Sequence, residues 1–192
     1  MEERTILVTG FGLFNTYKVN ASWEAVKLLN DRKFPGYKLI TVEVPVTYKY
    51  IEENIDLLWS KYKPSLVIHV GVCHRRWITL EHCANRLGYV KTDSEDCCHP
   101  TQKVCEIGED CIRTGINIEA ICASLEKHDI KIGVSKDAGR YLCEYIYYKS
   151  LNIDSSKTLF VHVPSLNEPY TAEQLSESLH KIIMEALKQV NS

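Results

Sequence analysis

Residues 4–10 read RTILVTG, a short and nearly unbroken apolar run that ends in glycine. Such a run fits a β-strand buried on both faces, because a half-exposed strand would alternate apolar and polar residues. The same reading applies to SLVIHVG (65–71) and TLFVHVP (158–164), and the shorter IKIGVS (130–135) also reads as a strand. Helical patterns lie between them. NASWEAVKLLND (20–31) places Trp23, Val26 and Leu29 at helical spacing behind Asn20, a residue suited to cap it. YKLITVEVPV (37–46) alternates like a strand and stops at Pro45. YKYIEENIDLLWSKY (48–62) carries Ile51, Ile55 and Leu58 on one face. NIEAICASLEKH (117–128) and AGRYLCEYIYYKSL (138–151) are helical, with the second expected to begin at Ala138. The last helix opens on the capping box Thr171–Gln174 and buries Leu175, Leu179, Ile182, Ile183, Ala186, Leu187 and Val190.

Strand and helix alternating in this order predict an α/β fold: a three-layer α/β/α sandwich around a twisted, mostly parallel sheet. The 192 residues are expected to form one domain, 1–192, with no linker or internal repeat. Residues 86–115 break the pattern. They are polar, turn-rich and cysteine-rich, and read as a long loop or hairpin excursion.

Composition narrows the function. With 45% hydrophobic and 25% charged residues the chain is globular, and a formal net charge of −2 without basic clusters argues against nucleic acid as partner. MEERTILVTG does not read as a secretory signal, and no apolar stretch is long enough to span a bilayer. The expected location is therefore cytoplasmic, away from membranes. There the eight cysteines are expected as free thiols and the Asn20-Ala21-Ser22 sequon as unmodified.

In open α/β sheets the working residues gather beyond the carboxyl ends of the strands. That rule selects the segments after Thr9, Val70, Ser135 and Val161. Cys143 and His162 stand at two of these places. Taken singly, each is more readily a core residue: free cysteine is often buried, and a lone histidine in a strand is usually satisfied by its neighbours. As a pair they fit a thiolate–imidazolium couple, with the helix N-terminus expected to lower the thiol pKa. Glu81 is the candidate for the acid that orients the imidazole, although the residues alone do not separate it from Glu24 or Glu144.

Four segments resemble the pyroglutamyl-peptidase I family of cysteine peptidases, and within it the animal form. They are ILVTGFGLF with VNASWEAV, HVG with TLEHCANRLGY, DAGRYLC, and FVHVP with PYTAEQL, in the family's order and nearly spanning the chain. The resemblance implies the same α/β/α sandwich. It implies an exopeptidase that removes N-terminal pyroglutamate from peptides through a thioester, with Cys143 as nucleophile, His162 as general base and Glu81 as orienting acid. It implies no metal or cofactor, peptides with N-terminal pyroglutamate as partners, and a monomer. Phe11 and Phe14 are implied to stack on the lactam ring, with Asn20 nearby and Tyr141 and Leu142 on the other side. The bland alternatives are core packing for the phenylalanines and a helix cap for Asn20. The chain departs from the family pattern at Leu13, at Asn15 and in the bulky, basic His74-Arg75-Arg76.

Four other readings stand beside this one. Asp96-Cys97-Cys98-His99 with Cys105 and Cys111 suggests zinc, but lacks the C-x-x-C hooks of structural sites. TGFGLF fits neither phosphate-loop pattern. From another class, the chain could be a weak or inactive relative that binds peptides without turning them over. A hydrolase of a different small amide is the remaining option.

Overall fold

The structure, a computed structural model, describes residues 4–14, 19–127 and 130–190. In chain order the strands are β1 (Arg4–Phe11), β2 (Tyr37–Val44), β3 (Leu66–Val72), β4 (Ile78–Glu81), β5 (Cys83–Asn85), β6 (Cys111–Arg113), β7 (Ile132–Ser135) and β8 (Thr158–Val163). The helices are α1 (Ala21–Lys27), α2 (Tyr48–Tyr62), α3 (Ile118–Glu126), α4 (Leu142–Asp154) and α5 (Ala172–Gln189). Six strands form one sheet in the order β2-β1-β3-β8-β4-β7. The first four run parallel. β4 runs antiparallel to β8, and β7 is parallel to β4.

Side-chain alternation divides the sheet into two faces. Ile6, Val8, Ile68, Val70, Leu159 and Val161 pack with residues of α1, α3 and α5. Leu7, Val67 and Phe160 pack with residues of α2 and α4. Burial on both faces is why the strands read as continuous apolar runs.

β4 has no counterpart in the sequence reading, and its direction follows from its connection. The short link of residues 73–77 cannot make the crossover that a parallel strand needs, so the chain passes the end of β8 and runs back along it. Glu81 therefore ends a strand of its own and is not loop. On α2, Trp59 is buried while Leu58 is only half-buried, so the inner stripe is shifted by one residue from the expected one. Helix α4 starts at Leu142 rather than Ala138, because Gly139 (φ +102°) and Arg140 (φ +50°) take left-handed conformations that a helix cannot contain.

The polar excursion is pinned at several points. β5 and β6 pair antiparallel at its base. Asp93 accepts hydrogen bonds from the backbone N–H groups of Tyr48 (3.1 Å), Glu95 (2.9 Å) and Cys97 (3.0 Å). The Tyr89 ring is fully buried, 5.0 Å from that of Tyr145, and His99 Nε2 lies 2.8 Å from the Tyr145 hydroxyl. All eight cysteines are free thiols, with Cys97, Cys98 and Cys111 exposed. Among the described residues, no group of three or more His, Cys, Asp or Glu gathers as a metal site.

Candidate active site

The site is built on the face of the sheet that carries α4. Gly71 on β3 is in register with His162 on β8, so both positions point to the same face on neighbouring strands. A Cβ atom placed on Gly71 would lie 2.7 Å from Cys143 Sγ and 2.8 Å from Phe160 Cζ. The Cys143 sulfur thus rests on the bare backbone of Gly71, beside the strand that bears His162. Only glycine leaves that space, which is one of the uses of glycine inside a strand.

The imidazole is held from the other side. His162 Nδ1 lies 2.7 Å from Glu81 Oε1, and both residues are buried. The Phe160 ring packs against the imidazole with centroids 4.7 Å apart. The Tyr147 hydroxyl donates to the Glu81 carbonyl at 2.8 Å, tying α4 to the end of β4. Nδ1 being engaged, Nε2 is the ring nitrogen left for chemistry.

The expectation about the thiol needs correction. Its pKa is pushed up, first by burial, then by the nearby Glu81 carboxylate and by Cys73. The backbone N–H of Cys143 acts in the opposite direction and is outweighed. An α-helix N-terminus is worth too little to offset desolvation of a thiolate. Burial, not the helix N-terminus, thus sets the direction of the shift.

A second carboxylate was not separated from the background by sequence reasoning. Glu144, fully buried, accepts hydrogen bonds from Asn85 N and Nδ2 (2.8 Å each), Arg140 N (2.7 Å) and Arg140 Nη1 (2.8 Å). It thereby clamps the turn that delivers Cys143 as the second residue of α4. Tyr141, the N-cap, makes no side-chain hydrogen bond to the first turn of α4. Burial of Glu144 was hidden because its partners lie on another strand and a preceding turn. The readable signal was Gly139, at the place where the chain must turn.

The rule about strand ends also needs amendment. β7 runs opposite to the four parallel strands, so the segment after Ser135 leaves from the opposite rim, and residues 136–141 bring the chain back to α4.

The residues expected to hold substrate divide into two groups. Phe14 and Tyr141 face each other at 6.0 Å between ring centroids, and the Tyr141 hydroxyl is buried without a hydrogen-bond partner. Phe11 and Leu142 are packed into the core on the α2–α4 face. Asn20 accepts from Ser22 N as the cap of α1 and donates to the Gly12 carbonyl at 2.8 Å, which fixes the start of the loop carrying Phe14. Leu13 is exposed, and Asn15 lies outside the described residues. His74 and Arg76 are exposed, whereas Arg75 turns inward to Glu81, with Nη1 3.5 Å from Oε1.

A family model described as pyroglutamyl peptidase matches residues 4–189. The chain belongs to this family. It is 39% identical over 188 residues to human pyroglutamyl-peptidase 1, covering 96% of this chain and 90% of the relative. It also resembles the pyrrolidone carboxyl peptidase of Fervidobacterium islandicum (TM-score 0.88, 30% identity, 96% of this chain and 98% of that one). A variant of the Pyrococcus furiosus pyrrolidone carboxyl peptidase matches with TM-score 0.88 at 25% identity, over 96% and 98% of the two chains. The mostly parallel sheet between two helical layers is thus the family's architecture.

Proposed function

We propose that the chain is a cysteine exopeptidase that hydrolyses the amide bond following an N-terminal pyroglutamate. The observation that carries the reading is the line formed by Glu81, His162 and the Gly71 shelf beneath the Cys143 sulfur.

In this reading Cys143 gives its proton to His162 Nε2, and Glu81 stabilises the resulting imidazolium through Nδ1–H. The thiolate attacks the pyroglutamyl carbonyl carbon. The oxyanion is held by N–H groups of the uncapped first turn of α4, including that of Cys143. His162 returns the proton to the leaving amine as the C–N bond breaks, leaving a thioester. Water then loses a proton to His162 and attacks the thioester, and the C–S bond breaks.

Pyroglutamate is neutral, flat and largely apolar, and suits an aromatic wall made by Phe14 and Tyr141. The unpartnered Tyr141 hydroxyl offers it a hydrogen bond. An open N-terminus brings an ammonium to the same place, and burying it unpaired costs several kcal/mol or more in order of magnitude. We take the chain to act as a monomer. The eight free thiols suit a cytoplasmic location. Among the described residues no helix is long and apolar enough to cross a membrane.

The test is release of a fluorophore from pyroglutamyl, prolyl and glutamyl amides by wild type and Cys143→Ala. Release from the pyroglutamyl amide alone, lost in the variant, is the expected result. No release by the wild type favours a peptide binder, and release from another amide favours a different specificity.

A further inference from the structure

Beside the Glu81–His162 pair stands a cation that the reaction outlined above does not use. Arg75 Nη1 lies 3.5 Å from Glu81 Oε1, the same oxygen that meets His162 Nδ1. Arg75 Nη2 reaches Ser135 Oγ at 3.4 Å. Ser135 Oγ in turn exchanges hydrogen bonds with the backbone of Asp137, on the segment that leads to Cys143. Glu81 is 0% exposed, and its second oxygen, Oε2, is buried without a hydrogen-bond partner. A fully buried carboxylate facing only an imidazole would have no compensating charge whenever that imidazole is neutral. Arginine supplies a charge that is present at every working pH.

We propose that Arg75 is a positioning residue for this site: it partners the Glu81 carboxylate, holds it against His162 and shields the Cys143 sulfur from its negative charge. The inference rests on the reading of Cys143, His162 and Glu81 given above. The groups bearing on the pair are His162 on β8, Cys143, Glu144 and Tyr147 on α4, and Cys73 in the link before β4. Thiols, a phenol and carboxylates contribute no positive charge, so Arg75 is the permanent cation of this group. By sign, a cation paired with Glu81 offsets part of the negative charge that raises the thiol's pKa.

The sign of the effect of removal is fixed. Loss of a positive charge makes thiolate formation harder and imidazolium formation easier. Both limbs of the bell-shaped profile of kcat/KM against pH must therefore move to higher pH, as apparent values of the coupled site. In Arg75→Gln the expected shift is roughly one pH unit in each limb. Arg75→Lys keeps the charge, and its limbs should return towards the wild-type positions even though the bond to Ser135 is lost.

The experiment measures kcat/KM for a pyroglutamyl amide from acid to alkaline pH in wild type, Arg75→Gln and Arg75→Lys. In parallel, the rate of Cys143 alkylation by iodoacetamide is followed over the same range. Alkylation reads the thiolate directly and needs no turnover. A wild type that releases nothing from the pyroglutamyl amide defeats the functional reading itself. With an active wild type, unchanged limbs in Arg75→Gln, whatever its kcat, overturn the role of Arg75. So does a lysine variant displaced as far as the glutamine one. Shifted limbs in glutamine, restored in lysine and matched by the alkylation profile, establish it.

Discussion

At the scale of single residues, the site depends on an atom that is missing. Gly71 is a strand residue with no need of left-handed backbone, so alanine is conformationally acceptable there. What alanine lacks is room, since its methyl group would meet Cys143 Sγ at 2.7 Å and Phe160 Cζ at 2.8 Å, closer than van der Waals contact. Both atoms must shift, the sulfur away from the strand that pairs with β8, and Phe160 against the His162 ring it supports. Displacements of about 1 Å at a reacting group can cost on the order of 100-fold in rate. Gly71→Ala is expected to lower kcat/KM by about that factor while costing about 1–3 kcal/mol in stability, as overpacking does. Steady-state kinetics on a pyroglutamyl amide, alongside urea unfolding, checks both numbers. A variant with wild-type kcat/KM would mean that the sulfur does not work from this shelf. Sequence makes Gly71 visible as the end of an apolar run, but the close approach that requires glycine arises between β3 and α4, which are far apart in the chain.

At the scale of elements, α4 is the part whose placement matters most, and its start is set by tertiary partners. The capping box of α5 is local: Thr171 and Gln174 satisfy each other's backbone, and that helix was readable to its first residue. α4 has no such device, and its first turn is fixed by Glu144 reaching back to Arg140 and across to Asn85 on β5. β4 was equally illegible, with four residues too few to show a period and a direction dictated by the link before it. The elements that could be read from sequence are those whose pattern is complete within themselves. This contrast predicts where a conservative change does most damage. Glu144→Gln turns an amide NH2 towards donors that were satisfied by a carboxylate, and leaves the Arg140 cation without its buried partner. Because the Arg140 side chain is 39% exposed and keeps Asp137, the expected cost is that of the unsatisfied buried hydrogen bonds, about 1–3 kcal/mol. Urea unfolding followed by tryptophan fluorescence measures the loss. Under conditions where the variant remains folded, kcat should fall as well, because the turn before Cys143 is no longer held. A fold as stable as wild type would show that the clamp is incidental.

At the scale of the whole molecule, two histidines that look alike in sequence have opposite fates. His69 in VIHVG and His162 in FVHVP both sit in apolar strands, and each could be a satisfied core histidine. The parallel register of β3 and β8 sets His69 opposite Phe160 and His162 opposite Gly71. His162 thus meets Glu81 and lies opposite the glycine on which the Cys143 sulfur rests, whereas His69 is sealed inside the core. Its Nδ1 lies 2.7 Å from Thr9 Oγ1 on β1, and its Nε2 lies 2.7 Å from Ser150 Oγ on α4. Ser150 also accepts from Trp59 Nε1 on α2 at 3.1 Å. One polar chain therefore runs from the sheet through both helices of this layer, with no charged group to stabilise an imidazolium. Burial lowers the His69 pKa from 6.5 to about 3. Between those values the unfolded chain binds a proton that the folded chain refuses. The stability associated with His69 is therefore complete above about pH 6.5 and declines towards pH 3, by about 1.4 kcal/mol for each pH unit. Other groups add to acid unfolding, so the decisive quantity is the difference from a variant that cannot titrate. His69→Gln can keep part of the bonding to Thr9 and Ser150. It should be less stable than wild type at neutral pH, yet lose stability less steeply as the medium is acidified. Urea midpoints collected from pH 7 downwards would show the two curves converging. Parallel curves would mean that acid sensitivity lies elsewhere, and that this core can admit a proton at His69 after all.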